Sequence, residues 1–287
     1  MELVVCLKQV PDTAADITPL PDRSAVDPAG LSWIINPYDE YALEEAIRIK
    51  ERLGGGTVTA VTVGPERAAT ALRTALAMGA DRAVHITGPE LEGSDPAVTA
   101  RLLAKAVSRG PSTRSGSPPP SLTGPSRAES RGSAFDLVLC GKTAVDDYHA
   151  QVGILLAQHL GLPHLSCVVK LDLSPDARTI TAHCETDRGT EVVECDLPAL
   201  VTAEKGLNEP RYPAVVAVMR AKQKPLETLT AADLGFSADQ VGAAASRLRT
   251  LGLQSPPKRG GCTMIEAEPA DAARELLRLL REAGGVV

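Results

Sequence analysis

The stretch Thr57-Val-Thr-Ala-Val-Thr-Val63, followed by Gly64-Pro65, then Glu66 to Met78 and Gly79, decides the fold class. It reads as a strand, a break, a helix and a glycine C-cap. Working outward, Arg82 to Thr87 reads as the next strand, and Asp95 to Val107, with Pro96 near its start, as the next helix. Upstream, Leu3 to Leu7 is a continuous apolar run, as expected of a strand buried on both faces. A loop rich in Pro and Asp follows, through Asp12, Pro19, Pro21, Asp27 and Pro28. Asn36-Pro37 then opens a helix. Asn36 suits the N-cap, Pro37 the first helical position, and Asp39 and Glu40 load the first turn with favourable charge. Ala42, Leu43, Ala46 and Ile47 form its apolar stripe, and Gly54-Gly55-Gly56 stops it.

Downstream, Phe135 to Cys140 is a strand, Gly141 to Asp147 its loop, and a helix runs on to Leu160 with Gly161 as its cap. The alternation predicts an α/β fold, a doubly wound, mostly parallel sheet with helices on both faces. Added strands follow over Ser166–Leu171, Thr179–Cys184, Glu191–Cys195 and Leu200–Ala203. Residues 109–134 interrupt the series with Pro, Gly, Ser and Arg and are expected to form a disordered surface insertion. Residues 1–224 are read as the α/β domain. Residues 225–287 are read as a C-terminal arm ending in a helix from Pro269 to Ala283, with Ala272, Leu276, Leu279 and Leu280 on one face. No internal repeat of fixed period is present.

The 287 residues carry a formal charge of −6, which argues against a nucleic-acid-binding surface. No apolar run is long enough to span a membrane, and the start has no basic segment or long apolar run of a secretory signal. The cysteines, at 6, 140, 167, 184, 195 and 262, form no CxxC pair, so zinc and iron–sulfur ligation are not expected. They read as buried, reduced thiols of a cytoplasmic protein. No GxSxG, HExxH or kinase set appears, and His149, His159 and His164 lack a partner in the pattern. No catalytic residue and no metal ligand is therefore assigned.

In a parallel α/β sheet, ligands bind beyond the carboxyl ends of the strands. Here those ends are Cys6 to Gln9, Val63-Gly64 and Gly141 to Asp147. A glycine at a strand end admits a ligand to the backbone, and the following helix offers free N–H groups to an anion. By physics alone this loop is either a nucleotide site or a plain strand–loop–helix joint.

The segment Val201-Thr-Ala-Glu-Lys-Gly-Leu-Asn-Glu-Pro-Arg-Tyr-Pro213, with Met219 to Pro225, resembles the signature of the beta (small) subunit of electron-transfer flavoproteins. Cys6 to Asp12, Ile35 to Asp39, Arg73 to Asp81 and Gly141 to Gly153 fit the same family, in order, over nearly the whole chain apart from 109–134. The resemblance implies an electron carrier rather than an enzyme. It implies a heterodimer in which an alpha subunit holds most of a redox-active FAD and the beta subunit wraps alpha with its arm. Electrons arrive from flavin dehydrogenases, such as acyl-CoA dehydrogenases of fatty acid β-oxidation, and leave to a quinone oxidoreductase or another acceptor.

By the same resemblance the beta site holds AMP. Its lining is Cys6, Asn36, Pro37, Tyr38, Asp39, Val63, Gly141, Lys142, Thr143, Ala144, Val145, Asp146, Asp147, Tyr148, His149, Ala150, Gln151 and Val152. Phosphate is expected on the amides of residues 150–153. Another branch of the family places a second FAD there and bifurcates electrons. This chain shares that branch's Ala-Gln-Val-Gly ending at 150–153 but lacks the preceding Gly and Thr. Glu185 is implied near the alpha-bound flavin. The partner-binding residues are Leu207, Asn208, Glu209, Pro210, Arg211 and Tyr212, with Leu207 expected to stand exposed as an anchor for the dehydrogenase. An ATP-cleaving enzyme of the wider α/β group would need an SGGxDS-like loop, which Lys8-Gln9-Val10-Pro11 is not. A regulatory nucleotide-binding protein would not need the 207–212 segment.

Overall fold

Successive residues of Leu3 to Leu7 enter different helix layers. Leu3, Val5 and Leu7 join one buried cluster, Val4 and Cys6 the other. That is the period-two consequence of a strand covered on both faces. In the computed structural model, residues 1–109, 134–255 and 261–283 are described. In chain order they form β1 (Glu2–Cys6), β2 (Gln9–Pro11), β3 (Trp33–Ile35), α1 (Pro37–Leu53), β4 (Thr57–Val63), α2 (Ala69–Met78), β5 (Arg82–Ile86), α3 (Pro96–Arg109) and β6 (Leu137–Gly141). Then come α4 (Val152–Leu160), β7 (His164–Leu173), β8 (Thr179–Thr186), β9 (Gly189–Asp196), β10 (Ala199–Ala203), α5 (Val215–Ala221), β11 (Leu226–Leu229), α6 (Gly242–Ala245) and α7 (Pro269–Glu282). The insertion expected over 109–134 lies, from 110 to 133, outside the described residues.

Among the described residues, one sheet runs in the order β11-β5-β4-β1-β6-β10-β7-β8-β9. The pairings from β11 through β7 are parallel, and only β7–β8 and β8–β9 are antiparallel. α1 and α2 cover one face with Leu43, Ile47, Leu72 and Leu76, and α3 and α4 the other with Leu102, Leu103, Val107 and Leu156. Each such side chain, once buried, contributes roughly 1.5–3 kcal/mol. The doubly wound α/β architecture is therefore as expected from the alternation.

Several elements differ from the sequence reading. Gln9–Pro11 and Trp33–Ile35 pair as a small antiparallel ribbon where a plain loop was expected. The helix expected from Glu66 begins as a 3-10 turn over Glu66–Ala68 and becomes α-helical only at Ala69. The helix expected straight after Asp147 begins at Val152. β10, expected to follow as an added strand, slots between β6 and β7 inside the main sheet. Beyond residue 224, β11 extends the sheet parallel to β5. Its four residues, Leu-Glu-Thr-Leu, carry too short a pattern to reveal an edge strand. Lys224 secures this turn: its Nζ donates to the Leu76 and Ala80 carbonyls at 2.9 and 2.6 Å, near the end of α2.

The main compact unit comprises Met1–Asp16 and Pro28–Leu251. A second comprises Ile17–Asp27 and Gly252–Val287. In it Pro19 bridges Val26, Leu253 donates its N–H to the Arg23 carbonyl at 2.9 Å, and α7 buries none of its side chains fully. Among the described residues, no helix is long and apolar enough to cross a membrane, and no cluster of three or more metal-ligating side chains occurs.

Gly153, in the first turn of α4, faces the sheet. A Cβ there would lie 2.9 Å from Thr202 Cγ2 and 3.6 Å from Cys140 Cβ. The glycine thus sets how closely α4 approaches β6 and β10. Gly153→Val is expected to cost about 1–3 kcal/mol by overpacking. Urea unfolding of the chain should show the loss as a lower midpoint at constant slope, and an unshifted midpoint would contradict this packing role.

Candidate functional site

The carboxyl ends of β1 and β6 meet around one buried side chain. Asp39, in the first turn of α1, points into the sheet rather than to solvent and is only 6% exposed. Its Oδ2 accepts from the Lys8 N–H at 2.7 Å and its Oδ1 from the Gly141 N–H at 2.9 Å. It ties the chain leaving β1 to the end of β6. Gly141 is required because a Cβ would collide with Asp39 Oδ1 and stand 2.7 Å from Tyr38 Cβ. Burial pushes the Asp39 carboxyl up to about 7, against the pull of the two N–H donors, the Asn36 side chain and Lys8.

Asn36 occupies the N-cap position as expected, but its side chain does not cap α1. Its Nδ2 donates to the Thr143 carbonyl at 2.9 Å and its Oδ1 accepts from the Val145 N–H at 3.1 Å. Lys8 takes the next turn of the same loop, with Nζ 2.8 Å from both Asp146 Oδ1 and Asp147 Oδ2. These carboxylates raise the Lys8 pKa although burial opposes them. Asp147 is held below its ordinary value because Lys8 and the His149 N–H outweigh its desolvation. Lys8 was absent from the expected lining. Its signal was its place directly after a doubly buried strand.

The loop so anchored is strained. Tyr148 and Ala150, both non-glycine, have φ of 52° and 53°, conformations that persist only where the surroundings enforce them. Residues 146–151 are exposed, and the helix dipole and first N–H groups of α4 open beyond them. The late start of α4 is thus what leaves an exposed, anchored helix N-terminus beyond the carboxyl end of β6, in the middle of the sheet. Beside it lies a cleft of about 240 Å³ that includes Lys8, Trp33, Val63, Arg67 and Asp146. The Arg67 guanidinium covers the Trp33 ring at 3.9 Å.

The remaining expected residues sort clearly. Pro37 opens α1, and the Tyr38 ring lies 5.3 Å below Lys142 Nζ. Thr143 is buried, and the Ala144 carbonyl accepts from the Tyr148 N–H at 2.9 Å. Cys6 is buried in β1. The neighbouring Cys6 thiol and burial hold the Cys140 thiol well above its ordinary range, so it stays protonated. The expectation of buried thiols holds for Cys6, Cys140 and Cys184 and needs correction for the rest. All six are free, but Cys167 and Cys195 are half-buried and Cys262 is exposed. Lys142 pairs with the buried Glu204, a residue the sequence reading missed. Glu185 lies apart on β8 at the same level of the sheet. Gly141, Ala203, Val168 and Cys184 stand in register across β6, β10, β7 and β8.

Leu207 also differs from expectation. It is half-buried and packs against the core, because the 204–213 segment folds down onto α1. Asn208 Nδ2 donates to the Tyr41 carbonyl at 3.0 Å, and the Glu209 carbonyl accepts from Arg48 at 3.0 Å. Arg211 pairs with Glu44 and Glu51. Pro210 is half-buried, whereas Tyr212 is 97% exposed.

The raised Asp39 value has a direct thermodynamic consequence. At this carboxyl the folded form keeps a proton that the unfolded form has lost between pH 4 and 7, so its contribution to stability falls as pH rises through that window. The slope is expected to reach about 1.4 kcal/mol per pH unit. Asp39→Asn should flatten it in urea titrations run across this range, while also lowering the plateau by losing one N–H acceptor. An unchanged slope would show that Asp39 is ionised throughout.

The family model described as the electron transfer flavoprotein domain matches residues 25–113 and 127–234. The chain is 38% identical over 289 residues to the electron transfer flavoprotein subunit beta of Bacillus subtilis (strain 168), covering 100% of both chains. It is 35% identical over 269 residues to that of Megasphaera elsdenii, covering 93% of this chain and 92% of the other. With that of Homo sapiens it shares 33% over 288 residues, covering 100% and 99%. Asn36, Asp39, the loop after β6 and the Leu207–Tyr212 segment on α1 all fall within the matched residues, and the chain belongs to the electron transfer flavoprotein family, as a relative of its beta subunits.

Proposed function

We propose that the chain is the beta subunit of a heterodimeric electron carrier whose alpha subunit holds most of a redox-active FAD. In this reading it takes electrons from flavin dehydrogenases, such as acyl-CoA dehydrogenases, and passes them to a quinone oxidoreductase or another acceptor, in the cytoplasm. The observation that carries it is the full-length similarity to beta subunits. The flavin supplies the redox chemistry, and this chain supplies binding, docking and local charge. The exposed apolar face of α7, in the C-terminal segment, is assigned to the alpha subunit. It has Leu276 half exposed.

The beta site is assigned to AMP. The first amides of α4, at residues 151–153, suit a phosphate. Residues 36–39 and 141–150 form the wall around them, with Cys6 and Val63 at the strand ends. AMP has no redox chemistry, so its effect is on stability. A ligand bound only to the folded form adds about 2.7 kcal/mol at a hundredfold excess over its Kd. The alternative, a second FAD and electron bifurcation, draws on the Ala150-Gln151-Val152-Gly153 ending.

Acid extraction of the purified heterodimer, with nucleotide chromatography and a visible spectrum, separates these readings. One flavin and one AMP per heterodimer is the expected outcome. Two flavins without AMP would establish the alternative. Neither AMP nor a second flavin, at full occupancy of the alpha flavin, would remove the nucleotide assignment altogether.

Glu185 is assigned to the seam with alpha. It is exposed at the end of β8, and a carboxylate there opposes negative charge on the flavin. Glu185→Gln should raise the flavin potential by on the order of tens of millivolts and leave assembly intact. Potentiometric titration of the heterodimer checks this, and an unchanged potential returns Glu185 to the free surface.

A further inference from the structure

Arg211 was expected to touch a partner, yet its guanidinium is fully engaged within the chain. Its Nε donates to Glu44 Oε2 at 2.8 Å and its Nη2 to Glu44 Oε1 at 3.0 Å. Nη1 and Nη2 donate to the two oxygens of Glu51 at 2.6 and 2.9 Å. The Arg211 backbone N–H adds a bond to Glu44 at 3.2 Å. One side chain thus clasps two carboxylates about two turns apart on α1.

The clasp is part of a wider seam. Glu44 is only 2% exposed and also receives Arg48 Nε at 2.7 Å, while Arg48 reaches on to the Glu209 carbonyl. Asn208 donates to the Tyr41 carbonyl and to Glu45. Residues 204–214 contain no helix or strand, so the ladder bonds that hold other segments are absent here. Side chains from α1 do that work instead. The result is a segment whose inner groups are tied down, while Tyr212, Val215 and Met219 stand 97%, 78% and 67% exposed beside it.

We infer that Arg211 is a positioning residue: through Glu44 and Glu51 it latches residues 207–212 to α1, so that the segment meets the electron-donating flavin dehydrogenase already ordered. This rests on the reading that the segment is the docking site. A loop ordered in advance spends less entropy on association. A planar fork facing two carboxylates is also geometry that lysine cannot reproduce.

The test uses the FAD-loaded heterodimer with Arg211→Ala, Arg211→Lys and Glu51→Gln. Hydrogen exchange of the amides of residues 206–209, 211 and 212 and steady-state reduction by an acyl-CoA dehydrogenase are measured together. Arg211→Ala should speed exchange and raise the KM for the heterodimer, each about tenfold, with kcat and the flavin spectrum unchanged. Arg211→Lys should fall between, since it keeps the charge and loses the fork. Glu51→Gln should move both readouts the same way by a smaller factor. Unchanged exchange in Arg211→Ala would overturn the latch. Faster exchange with unchanged KM would leave the latch standing but overturn the docking role it rests on, and with it the positioning role. If Arg211→Ala lowers the melting temperature of the heterodimer, Glu51→Gln decides alone. It leaves the buried Glu44 paired, so faster exchange with a higher KM upholds the proposal and unchanged exchange overturns it.

Discussion

The bond pair from the Asp39 carboxylate to the Lys8 and Gly141 N–H groups is the joint on which the site depends. Parallel strands end with backbone groups that have no next ladder partner. A carboxylate delivered by the first turn of α1 satisfies two of them at once, and in doing so fixes α1 over the ends of β1 and β6. Gly141 is the steric counterpart, since any Cβ would strike the same carboxylate. Its cost is desolvation, visible as the raised Asp39 value. Asn36, three residues earlier, bonds the loop after β6 with its side chain instead of capping α1. One helix start therefore organises two strand ends and the loop between β6 and α4.

The same helix organises its opposite end. Glu44, Glu45 and Glu51 bind the 207–212 segment through Arg211 and Asn208. Burial and hydrogen bonding compete at each carboxylate. At Glu44 desolvation is outweighed by Arg211 and Arg48 and the carboxyl stays below its ordinary range, whereas at Glu45 burial wins and raises it. α1 is thus a rigid spacer between the loop after β6, assigned to the nucleotide, and the segment assigned to docking. Strain in Tyr148 and Ala150 at one end, and loss of regular structure over 204–214 at the other, are tolerated because both are tied to it.

Much of this was legible in the sequence. The doubly buried run Leu3–Leu7, the Thr57–Gly79 unit and the glycine stops were enough to establish the strand and helix series. Strong periodic runs carry their own burial requirement, so they are readable without knowing their neighbours. The stretch Gly141–Gly153 stood out as a candidate place for a ligand because strand ends and helix starts have unsatisfied backbone groups wherever they occur. The family resemblance in Val201–Pro213 came from side-chain identity rather than periodicity, and the comparisons bear it out.

What the chain order alone could not decide was which polar residues would be buried, and against what. Asp39 and Glu44 look like ordinary helix-surface acids. Their burial depends on Gly141 and Arg211, residues roughly a hundred or more positions away, brought up only by the crossover topology. β10 lies between β6 and β7 because hydrogen-bond partners in a parallel sheet are set by long-range closure, to which a local pattern is blind. Leu207 reads as a free loop residue until the seam beneath it is seen, and α4 starts at Val152 because Lys8 and Asn36 hold the preceding residues out of the helix. Sequence by itself determined the main strand and helix series, the layers and the family. Tertiary structure decided the register of distant strands, the pairing of charges and the shape of the site, because those energies exist only between groups that folding brings together.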